Sequence, residues 1–473
     1  MPGESGTKSS TEEREIKEAV LITPSSQTPS HVLSLSSLDS QLFIRFTIEY
    51  LLIYRPPPPP HRSTTTTTKG TTTTTITATT HDRNTFTARI KAALGGALVP
   101  YYPLAGRVRA PPDGSNLEVV CRAQGAAFVE AVSDISVSEF QKAPRYSTQW
   151  TNLLSLHVAD VLRGSPPLVV QLTWLADGAA AVGVGISHCI CDGIGSAEFL
   201  NLFAELATGR RGLGDFKPKP VWDRHLLNPT TSLAVTGRRV LNRSVAHPEF
   251  NRVQDLCGFV SRFAREPLSP TSVTFDQKSL TGLKKLACST SPQRELIKYT
   301  SFEVLSAHVW RSWAMALELP PAQTLRMLFS VNVRNRVKPS LPDGFYGNGF
   351  VLGCAQASVG ELTEKGLGWA SWLVKKAKER VGDEYVRSVV EEVSSESRAN
   401  PDSVGVLIVS QWSRLGLEKV DFGMGKPVHV GPVNSERYCL FLPVYEQREA
   451  VKVMVAVPKS AVGKYEYLIR SPS

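Results

Sequence analysis

The sequence predicts a mixed α/β protein with two domains, and three observations support this fold class. The chain has 473 residues, of which 42% are hydrophobic, so it exceeds one ordinary domain and can bury two cores. Residues 168–175 and 179–187 have the apolar pattern of strands, and the Asp177-Gly178 dipeptide between them favours a tight hairpin turn. From Ser196 onwards the apolar residues follow the period of a helix.

Two segments near the N terminus have compositions that do not support a folded core. The first 17 residues are rich in charged and polar side chains, and we expect them to be disordered. Residues 56–82 begin with five prolines and continue as a threonine-rich run, which predicts a stiff polyproline piece leading into a disordered loop. We interpret this segment as a surface insertion, and a docking site for a proline-binding partner is the functional alternative.

The charge, the cysteines and the apolar runs of the chain indicate its partners and its compartment. The formal net charge is +10, but basic residues are interspersed with acidic ones and no nucleic-acid-binding motif is present, so nucleic acid is not an expected partner. Seven dispersed cysteines indicate free thiols in a reducing compartment. There is no signal-peptide core and no apolar run of 18 residues to span a membrane. We expect a soluble, cytoplasmic monomer.

The connection after the second predicted strand carries a candidate catalytic histidine. The strand ends at His188, and the helix that follows is predicted to have Ser196 as its N-cap and Gly209 as its stop. His188 and Asp192 therefore lie in a tight strand-to-helix connection. Imidazole titrates near neutral pH, which suits a general base, and Asp192 would fix the turn or orient the ring.

The same short stretch allows two other interpretations. A histidine at the end of a buried strand is often a structural residue whose polar atoms are satisfied locally. Zinc ligation would combine His188 with Cys189, Cys191 and Asp192, but adjacent residues of a strand or turn point in different directions. No second Cys/His pair at zinc-like spacing accompanies them, so we predict no metal site.

Two later segments contain short motifs, a helix cap and a loop. Thr300 and Glu303 have the spacing of a capping box, which predicts a helix with Thr300 as its N-cap and with Leu305 and Val309 on its buried face. Residues 421–425 contain the Asp-Phe-Gly sequence found in protein kinases. No Gly-rich phosphate loop or kinase catalytic loop precedes it, so we interpret it as a structural loop.

Several segments, in order along nearly the whole chain, resemble the plant acyl-CoA-dependent acyltransferases of the BAHD family. Residues 188–192 match the family motif HxxxD, and residues 421–425, DFGMG, resemble the family motif DFGWG. Four further segments are similar to the family: LSSLD at 35–39, YYPLAGR at 101–107, TSFEVL at 300–305 and FYGNG at 345–349. The chain is therefore identified as a member of this family.

The resemblance implies the chloramphenicol acetyltransferase-like type of fold. This fold has two similar-sized domains, each a mixed sheet with flanking helices, and an active-site channel between them. We expect residues 18–208 to form the N-terminal domain, which carries HxxxD, and residues 209–267 to form a crossover linker. Residues 268–473 are then the C-terminal domain, which carries the DFGMG loop.

The resemblance also implies the roles of the motif residues. His188 corresponds to the family's general base, whereas the family's aspartate turns away from the histidine and pairs with a basic group. Asp192 is accordingly expected to be structural, and Arg311, Arg334 and Arg336 are the candidates for its partner.

Further site residues follow from the same resemblance. The segment Ser410-Gln411-Trp412 resembles the one that lines the family's reaction centre, so Trp412 and Ser410 are oxyanion candidates, or alternatively buried core groups. The helix after Thr300 lies near the coenzyme in the family, and a helix N terminus offers free amides to phosphate or pantetheine groups. The residues expected at the coenzyme site are Thr300, Ser301, Asp421, Gly423 and Gly425.

The implied activity is direct acyl transfer from coenzyme A to an acceptor hydroxyl. The small-molecule acyl-CoA is a co-substrate, and we expect no permanently bound cofactor. The closest resemblance within the family is to members that move hydroxycinnamoyl groups onto long-chain alcohols or ω-hydroxy fatty acids. Benzoyl or aliphatic donors and amine acceptors are alternatives. A non-catalytic accessory protein is another, favoured by Met424 in place of the family tryptophan and opposed by the intact His188 and Asp192.

Overall fold

The computed structural model of the protein describes residues 15–56, 77–112, 114, 116–158, 160–210, 212, 214, 217–229, 245–291, 298–395, 400–436 and 438–471. Its architecture is the predicted mixed α/β fold with two large sheets. Each large sheet contains six strands in the described ranges and combines parallel with antiparallel neighbours.

The strands of these ranges form two large sheets and one small one. In chain order they are β1 (Val20–Ile22), β2 (His31–Ser34), β3 (Thr47–Tyr54), β4 (Arg107–Arg109), β5 (Glu118–Cys121), β6 (Ala126–Val132), β7 (Leu168–Trp174), β8 (Ala180–Ser187), β9 (Leu268–Phe275), β10 (Thr324–Asn332), β11 (Phe350–Ser358), β12 (Val406–Gln411), β13 (His429–Pro432), β14 (Cys439–Val444) and β15 (Gln447–Pro458). The first sheet has the order β1-β6-β7-β8-β3-β13, and the second has the order β11-β10-β12-β14-β15-β9. Strands β2, β5 and β4 form the small sheet.

Helices pack on the sheets and enclose two large apolar cores. The helices are α1 (Thr77–Ala97), α2 (Gly193–Ala207), α3 (Phe259–Ala264), α4 (Gln277–Ser289), α5 (Ser301–Ala316), α6 (Val359–Glu364), α7 (Gly366–Arg380), α8 (Asp383–Ser394) and α9 (Val462–Arg470). Buried residues of α1 and α2 belong to the core of the first sheet, and those of α4, α5 and α7 to the core of the second. These cores supply most of the apolar burial that stabilises the fold.

The predicted hairpin lies at the centre of the first sheet. Strands β7 and β8 pair antiparallel, and Gly178 in the turn between them has a φ of +79°. All eight residues of β8 are buried. A Cβ on Gly183 would lie 2.2 Å from the carbonyl oxygen of Leu153, so only glycine allows the helical turn at Thr151–Leu154 to pack this closely on β8.

The predicted capping box begins α5. The Thr300 hydroxyl accepts a hydrogen bond from the Glu303 amide (3.3 Å), and the Glu303 carboxylate accepts one from the Thr300 amide (2.8 Å). Leu305 and Val309 on the expected face are buried in the second core. This local prediction is confirmed because a capping box depends only on residues three positions apart.

The first sheet contains one strand from the part of the chain that is predicted to form the C-terminal domain, residues 268–473. Strand β13 comes from the C-terminal half but pairs antiparallel with β3, with Pro432 opposite Tyr50. Phe422 is likewise buried in the first core. This segment crosses to the first sheet and covers part of an edge of β3 that would otherwise be unpaired.

Two expectations of disorder are wrong at their C-terminal ends. Residues 15–17 extend the first sheet, because the Val132 amide donates to the Glu15 carbonyl (2.9 Å) and the Lys17 amide donates to the Glu130 carbonyl (2.8 Å). Helix α1 begins within the predicted insertion at residues 56–82. Residues 1–14 and 57–76 lie outside the described residues, so the remainder of both expectations stays a prediction.

Candidate active site

His188 follows the last residue of β8, as predicted. Its backbone amide donates to the carbonyl oxygen of Phe46 (2.9 Å), which holds the histidine beside the start of β3. Its ring contacts the rings of Phe46 and Phe350, with centroid distances of 5.1 Å and 5.7 Å. Nδ1 is enclosed and has no hydrogen-bond partner among the described residues, while the side chain lines a central cavity. Nε2 is therefore the nitrogen that can meet a substrate.

Burial sets the protonation state of this imidazole. Burial lowers the pKa of His188 below its ordinary value of 6.5, and the smaller effects of Asp192, Asn348 and Asp39 act in the opposite direction. A lowered pKa keeps the ring neutral at physiological pH. The neutral form is the one that can accept a proton from a hydroxyl group.

The Asp192 carboxylate is bonded to three residues, none of which is His188. Its Oδ1 accepts from the Gly195 amide (2.9 Å), so Asp192 is the N-cap of α2. Arg334 forms a two-pronged ion pair with it, at 2.8 Å to Oδ2 and 3.0 Å to Oδ1. Asp192 also accepts from the Gly349 amide (3.1 Å). This carboxylate therefore connects the HxxxD loop to the C-terminal half of the chain.

These contacts resolve the partner of Asp192 and correct the predicted cap. Of the three candidate arginines, Arg334 is the partner, whereas Arg311 and Arg336 donate to backbone carbonyls of residues 362, 378 and 381. The prediction of Ser196 as the N-cap is wrong. The carboxylate of Asp192 accepts from the first turn, so α2 begins at Gly193, four residues earlier than a cap at Ser196 implies.

A second buried ion pair supports the backbone of the same loop. Asp39 is fully buried, and its Oδ1 accepts from Arg224 Nη1 (2.9 Å) and from Asn348 Nδ2 (2.7 Å). Arg224 also donates to the Ile190 carbonyl (2.8 Å), and Asn348 Nδ2 donates to the His188 carbonyl (2.7 Å). Three distant parts of the chain therefore fix the backbone that carries the histidine.

Sequence reasoning gave no role to these three residues. Asp39 and Asn348 lie in the segments 35–39 and 345–349 that carried the family resemblance, and this was the signal that pointed to them. Arg224 lies in the crossover, and its bond to Asp39 joins residues 185 positions apart. Such a pairing cannot be read from one sequence, because no local pattern connects its members.

His188 faces a large cavity between the two sheets. The cavity has a volume of about 990 Å³ and is lined by residues of both halves of the chain. Its apolar wall is formed by Phe43, Ile44, Leu328, Phe350, Leu352, Val406 and Ile408. Polar side chains of Glu49, His157, Asn434 and Ser435 also line the cavity. This arrangement can enclose a substrate that has one long apolar part and one polar end.

Both oxyanion candidates line this cavity. Trp412 is 7% exposed, and its ring packs against Tyr50 with a centroid distance of 4.8 Å. Ser410 lies on β12 and shares a face with Val406 and Ile408, because alternate residues of a strand point to the same side. Their position at the cavity agrees with the expectation, and their part in catalysis stays a prediction.

The two cysteines of the HxxxD loop are buried thiols. Burial raises the pKa of Cys189 to about 12 and raises the pKa of Cys191 as well. Both thiols are therefore protonated at neutral pH and are poor nucleophiles. In the part of the chain that the structure describes, no group of three or more His, Cys, Asp or Glu residues could hold a metal ion.

The residues expected at the coenzyme site are not part of the lining of this cavity. Thr300 is exposed at the start of α5, and neither it nor Ser301 is among the described residues that line the cavity. The loop at residues 421–425 also lies outside that lining. Asp421 Oδ1 accepts from the amides of Gly423 and Gly425, both at 2.8 Å, and Arg210 pairs with Oδ2 at 2.6 Å. The loop is therefore closed by its own aspartate, and its role at the coenzyme stays a prediction.

A family model and two known plant enzymes match most of this chain. A family model described as Transferase family matches residues 13–467. Omega-hydroxypalmitate O-feruloyl transferase of Arabidopsis thaliana is 35% identical over 80% of this chain and 80% of its own length. Fatty alcohol:caffeoyl-CoA acyltransferase of the same plant is 32% identical over 95% and 96%.

Solved structures with a similar fold cover nearly the whole chain. Vinorine synthase has a TM-score of 0.66 at 20% identity and covers 96% of both chains. F. graminearum TRI101 complexed with coenzyme A and T-2 mycotoxin has a TM-score of 0.70 at 14% identity, covering 93% of this chain and 97% of its own. None of the described helices has both the length and the apolar character needed to cross a membrane. The family match and these relatives show that the chain belongs to the BAHD family of acyl-CoA-dependent acyltransferases.

Proposed function

We propose that the protein transfers a hydroxycinnamoyl group from coenzyme A to the hydroxyl of a long-chain alcohol or ω-hydroxy fatty acid. The observation that carries the proposal is the cavity in which neutral His188 stands next to an extended apolar wall. The names of two relatives, a feruloyl transferase for ω-hydroxypalmitate and a caffeoyl transferase for fatty alcohols, support the same pair of substrates.

The apolar wall has the dimensions of a site for an alkyl chain. Phe350 lies opposite Asn332 on β10, and Val406 lies opposite Arg326 on the same strand. Six residues of strand separate these two positions, which corresponds to about 20 Å. Leu328, Leu352 and Ile408 fill the interval and line the cavity. Each methylene group that leaves water for such a surface contributes about 0.8 kcal/mol.

In the proposed mechanism the acceptor oxygen is the nucleophile. Nε2 of His188 removes the proton of the acceptor hydroxyl as this oxygen attacks the thioester carbonyl carbon. Trp412 and Ser410 are proposed to donate hydrogen bonds to the oxyanion of the tetrahedral intermediate. The carbon–sulfur bond then breaks, and the coenzyme A sulfur takes the proton back from the imidazolium. The protonated thiols of Cys189 and Cys191 support a route without an acyl-enzyme.

The altered tryptophan of the DFGWG motif does not weaken the proposal. Phe422 is fully buried and contacts Phe203 and Tyr54 at centroid distances of 4.8 Å and 6.0 Å. Met424 is half-buried against the same core. Because Phe422 and the Asp421 hydrogen bonds already hold the loop, it does not require an indole at position 424.

The release of free coenzyme A tests the proposed activity. Purified protein is given feruloyl-, caffeoyl-, benzoyl- or acetyl-CoA, each with and without hexadecanol or ω-hydroxypalmitate. We expect release that depends on both substrates and is fastest with a hydroxycinnamoyl donor. Release confined to benzoyl or aliphatic donors, or to amine acceptors, would contradict the proposed substrates. No release in any combination would favour the accessory protein.

A further inference from the structure

One end of the cavity carries a polar cluster that the acyl-transfer mechanism does not use. Glu49 Oε1 accepts a hydrogen bond from His157 Nδ1 at 2.8 Å, and both side chains line the cavity. Ser435 lies in the same lining and is 4% exposed, and its Oγ has no hydrogen-bond partner among the described residues. A buried hydroxyl without a partner is costly unless a ligand or water satisfies it. The cluster therefore has the character of a binding site.

The sheet leaves the backbone edge next to Glu49 open. Strand β13 pairs with β3 only from Tyr50 onwards, with Pro432 opposite Tyr50, so β13 does not cover the edge at residues 47–49. The chain that follows Pro432 brings Ser435 into the cavity lining. Because Glu49 itself lines the cavity, a ligand bound there can reach its side chain.

The backbone spacing between Glu49 and His188 is comparable to the length of an aromatic acyl group. The His188 amide donates to the Phe46 carbonyl, and the backbone of Glu49 lies three residues beyond Phe46, which corresponds to about 10 Å. The rings of Phe46 and Tyr438, with centroids 5.8 Å apart, form an aromatic wall of the cavity. A hydroxycinnamoyl group has a comparable length between its thioester carbonyl and its ring hydroxyl.

The charges of the cluster favour a neutral hydroxyl donor over an anion. The hydrogen bond that His157 donates to Glu49 raises the pKa of His157, so the pair resembles an imidazolium–carboxylate pair with little net charge. A pair with little net charge offers no electrostatic attraction to the carboxylate of an ω-hydroxy fatty acid. Its Oε2, which has no hydrogen-bond partner in the part of the chain that the structure describes, can accept a hydrogen bond from a phenolic hydroxyl. The hydroxyl of a fatty alcohol is already engaged by His188 in the proposed mechanism, so the alcohol has no second polar group for these side chains.

We propose that Glu49, oriented by His157, accepts a hydrogen bond from the ring hydroxyl of the acyl donor and so selects ring-hydroxylated aromatic donors. This inference rests on the proposed hydroxycinnamoyl transfer and assigns the residue that recognises the donor. Glu49 is a binding residue in this scheme, and His157 is a positioning residue. A hydrogen bond to a charged acceptor typically changes affinity by about 10-fold or more.

The test compares two donors on the same enzyme preparation. The ratio of kcat/KM for p-coumaroyl-CoA to that for cinnamoyl-CoA, which lacks the ring hydroxyl, is measured with hexadecanol as acceptor. We expect the wild-type protein to prefer p-coumaroyl-CoA by about 10-fold. Glu49→Leu should bring this ratio close to 1, chiefly by raising KM for p-coumaroyl-CoA. Loss of folded protein cannot produce this result, because the folded fraction cancels in the ratio.

Three further variants separate recognition from general damage. His157→Phe should lower the ratio, and His157→Gln, which can still donate to Glu49, should restore part of it. Glu118→Leu is the matched control, because Glu118 is 21% exposed, as against 19% for Glu49, and pairs with Arg109 outside the cavity lining. This control should keep the wild-type ratio.

The results that would overturn the inference differ from those that would overturn the proposed function. An unchanged ratio in Glu49→Leu, with hydroxycinnamoyl transfer intact, would refute the role of Glu49 and leave the proposed function standing. Equal kcat/KM values of the wild-type protein for p-coumaroyl-CoA and cinnamoyl-CoA would also refute the role of Glu49 and leave the proposed function standing. Turnover of benzoyl or aliphatic donors only would overturn both.

Discussion

Removal of the Asp192 carboxylate should destabilise the protein as well as inactivate it. In Asp192→Ala the N-cap bond to Gly195 is lost, which costs about 1 kcal/mol. Arg334 loses its ion-pair partner, and its side chain is only 13% exposed. Breaking a buried pair typically costs about 3 to 5 kcal/mol because the remaining charge is left without compensation. The combined loss of roughly 5 kcal/mol is comparable to the whole stability of many domains, so soluble yield should fall.

Urea unfolding and acyl transfer measured on the same samples test this expectation. Asp192→Asn keeps an N-cap and should therefore lose less stability than Asp192→Ala. Arg334→Met in the Asp192→Asn background should cost less than Arg334→Met alone, because the two side chains interact directly. Asp160→Ala is the matched surface control, since Asp160 also caps a short helix and pairs with the exposed Arg163. It should cost about 1 kcal/mol.

One outcome would refute this structural role. If Asp192→Ala lost acyl transfer while its urea midpoint stayed at the wild-type value, the carboxylate would have to act on the reaction itself. A carboxylate that is 6% exposed and paired with Arg334 at 2.8 Å would then have no energetic consequence, contrary to its burial.

Three further predictions concern the titratable groups. His188→Ala should reduce kcat by about 10²- to 10⁴-fold with an unchanged urea midpoint. In the wild type, kcat/KM should fall with decreasing pH only below 6.5, because the base must be unprotonated and burial lowers its pKa. Undiminished turnover in His188→Ala would contradict the assignment of His188 as the base. Intact-mass measurement after donor addition should show no acyl adduct on Cys189 or Cys191, and a stable adduct would favour a covalent route. Burial lowers the pKa of His308 to about 4 and that of His429 to about 3, so stability should be full above pH 6.5 and decrease as pH falls, by about 2 kcal/mol for each histidine at pH 5. His308→Asn and His429→Asn should flatten this pH dependence of the urea midpoint, and an equal slope in the variants would contradict it.

Local predictions succeeded where neighbouring residues determine the structure. The β7–β8 hairpin and the capping box at Thr300 depend on turn and cap residues within a few positions of each other, and both are present. The N-cap of α2 was misplaced at Ser196, although the correct cap is also local. Asp192 is predicted to fix the turn or to orient the ring of His188, whereas its carboxylate caps the helix that follows.

The residues expected at the coenzyme stay a prediction, because their distance from the coenzyme is not a local property. Thr300, Ser301 and the loop at residues 421–425 were placed at the coenzyme by resemblance, and they lie outside the lining of the cavity that holds His188. The cap and the loop closure that the sequence indicates at these positions are present. A motif determines how its own backbone folds, whereas its distance from another motif depends on the packing of the elements between them.

The fold class, the family and the position of His188 at the end of β8 could be predicted from the sequence, because they depend on periodicity and on motifs in fixed order. Only the tertiary structure decided that Arg334 is the partner of Asp192 and that Asp39, Arg224 and Asn348 hold the histidine loop. It also brought Glu49 and His157, 108 residues apart, to one end of the cavity. Such contacts arise when two sheets and their connections pack together, and side chains far apart in sequence then meet at distances that no local pattern specifies.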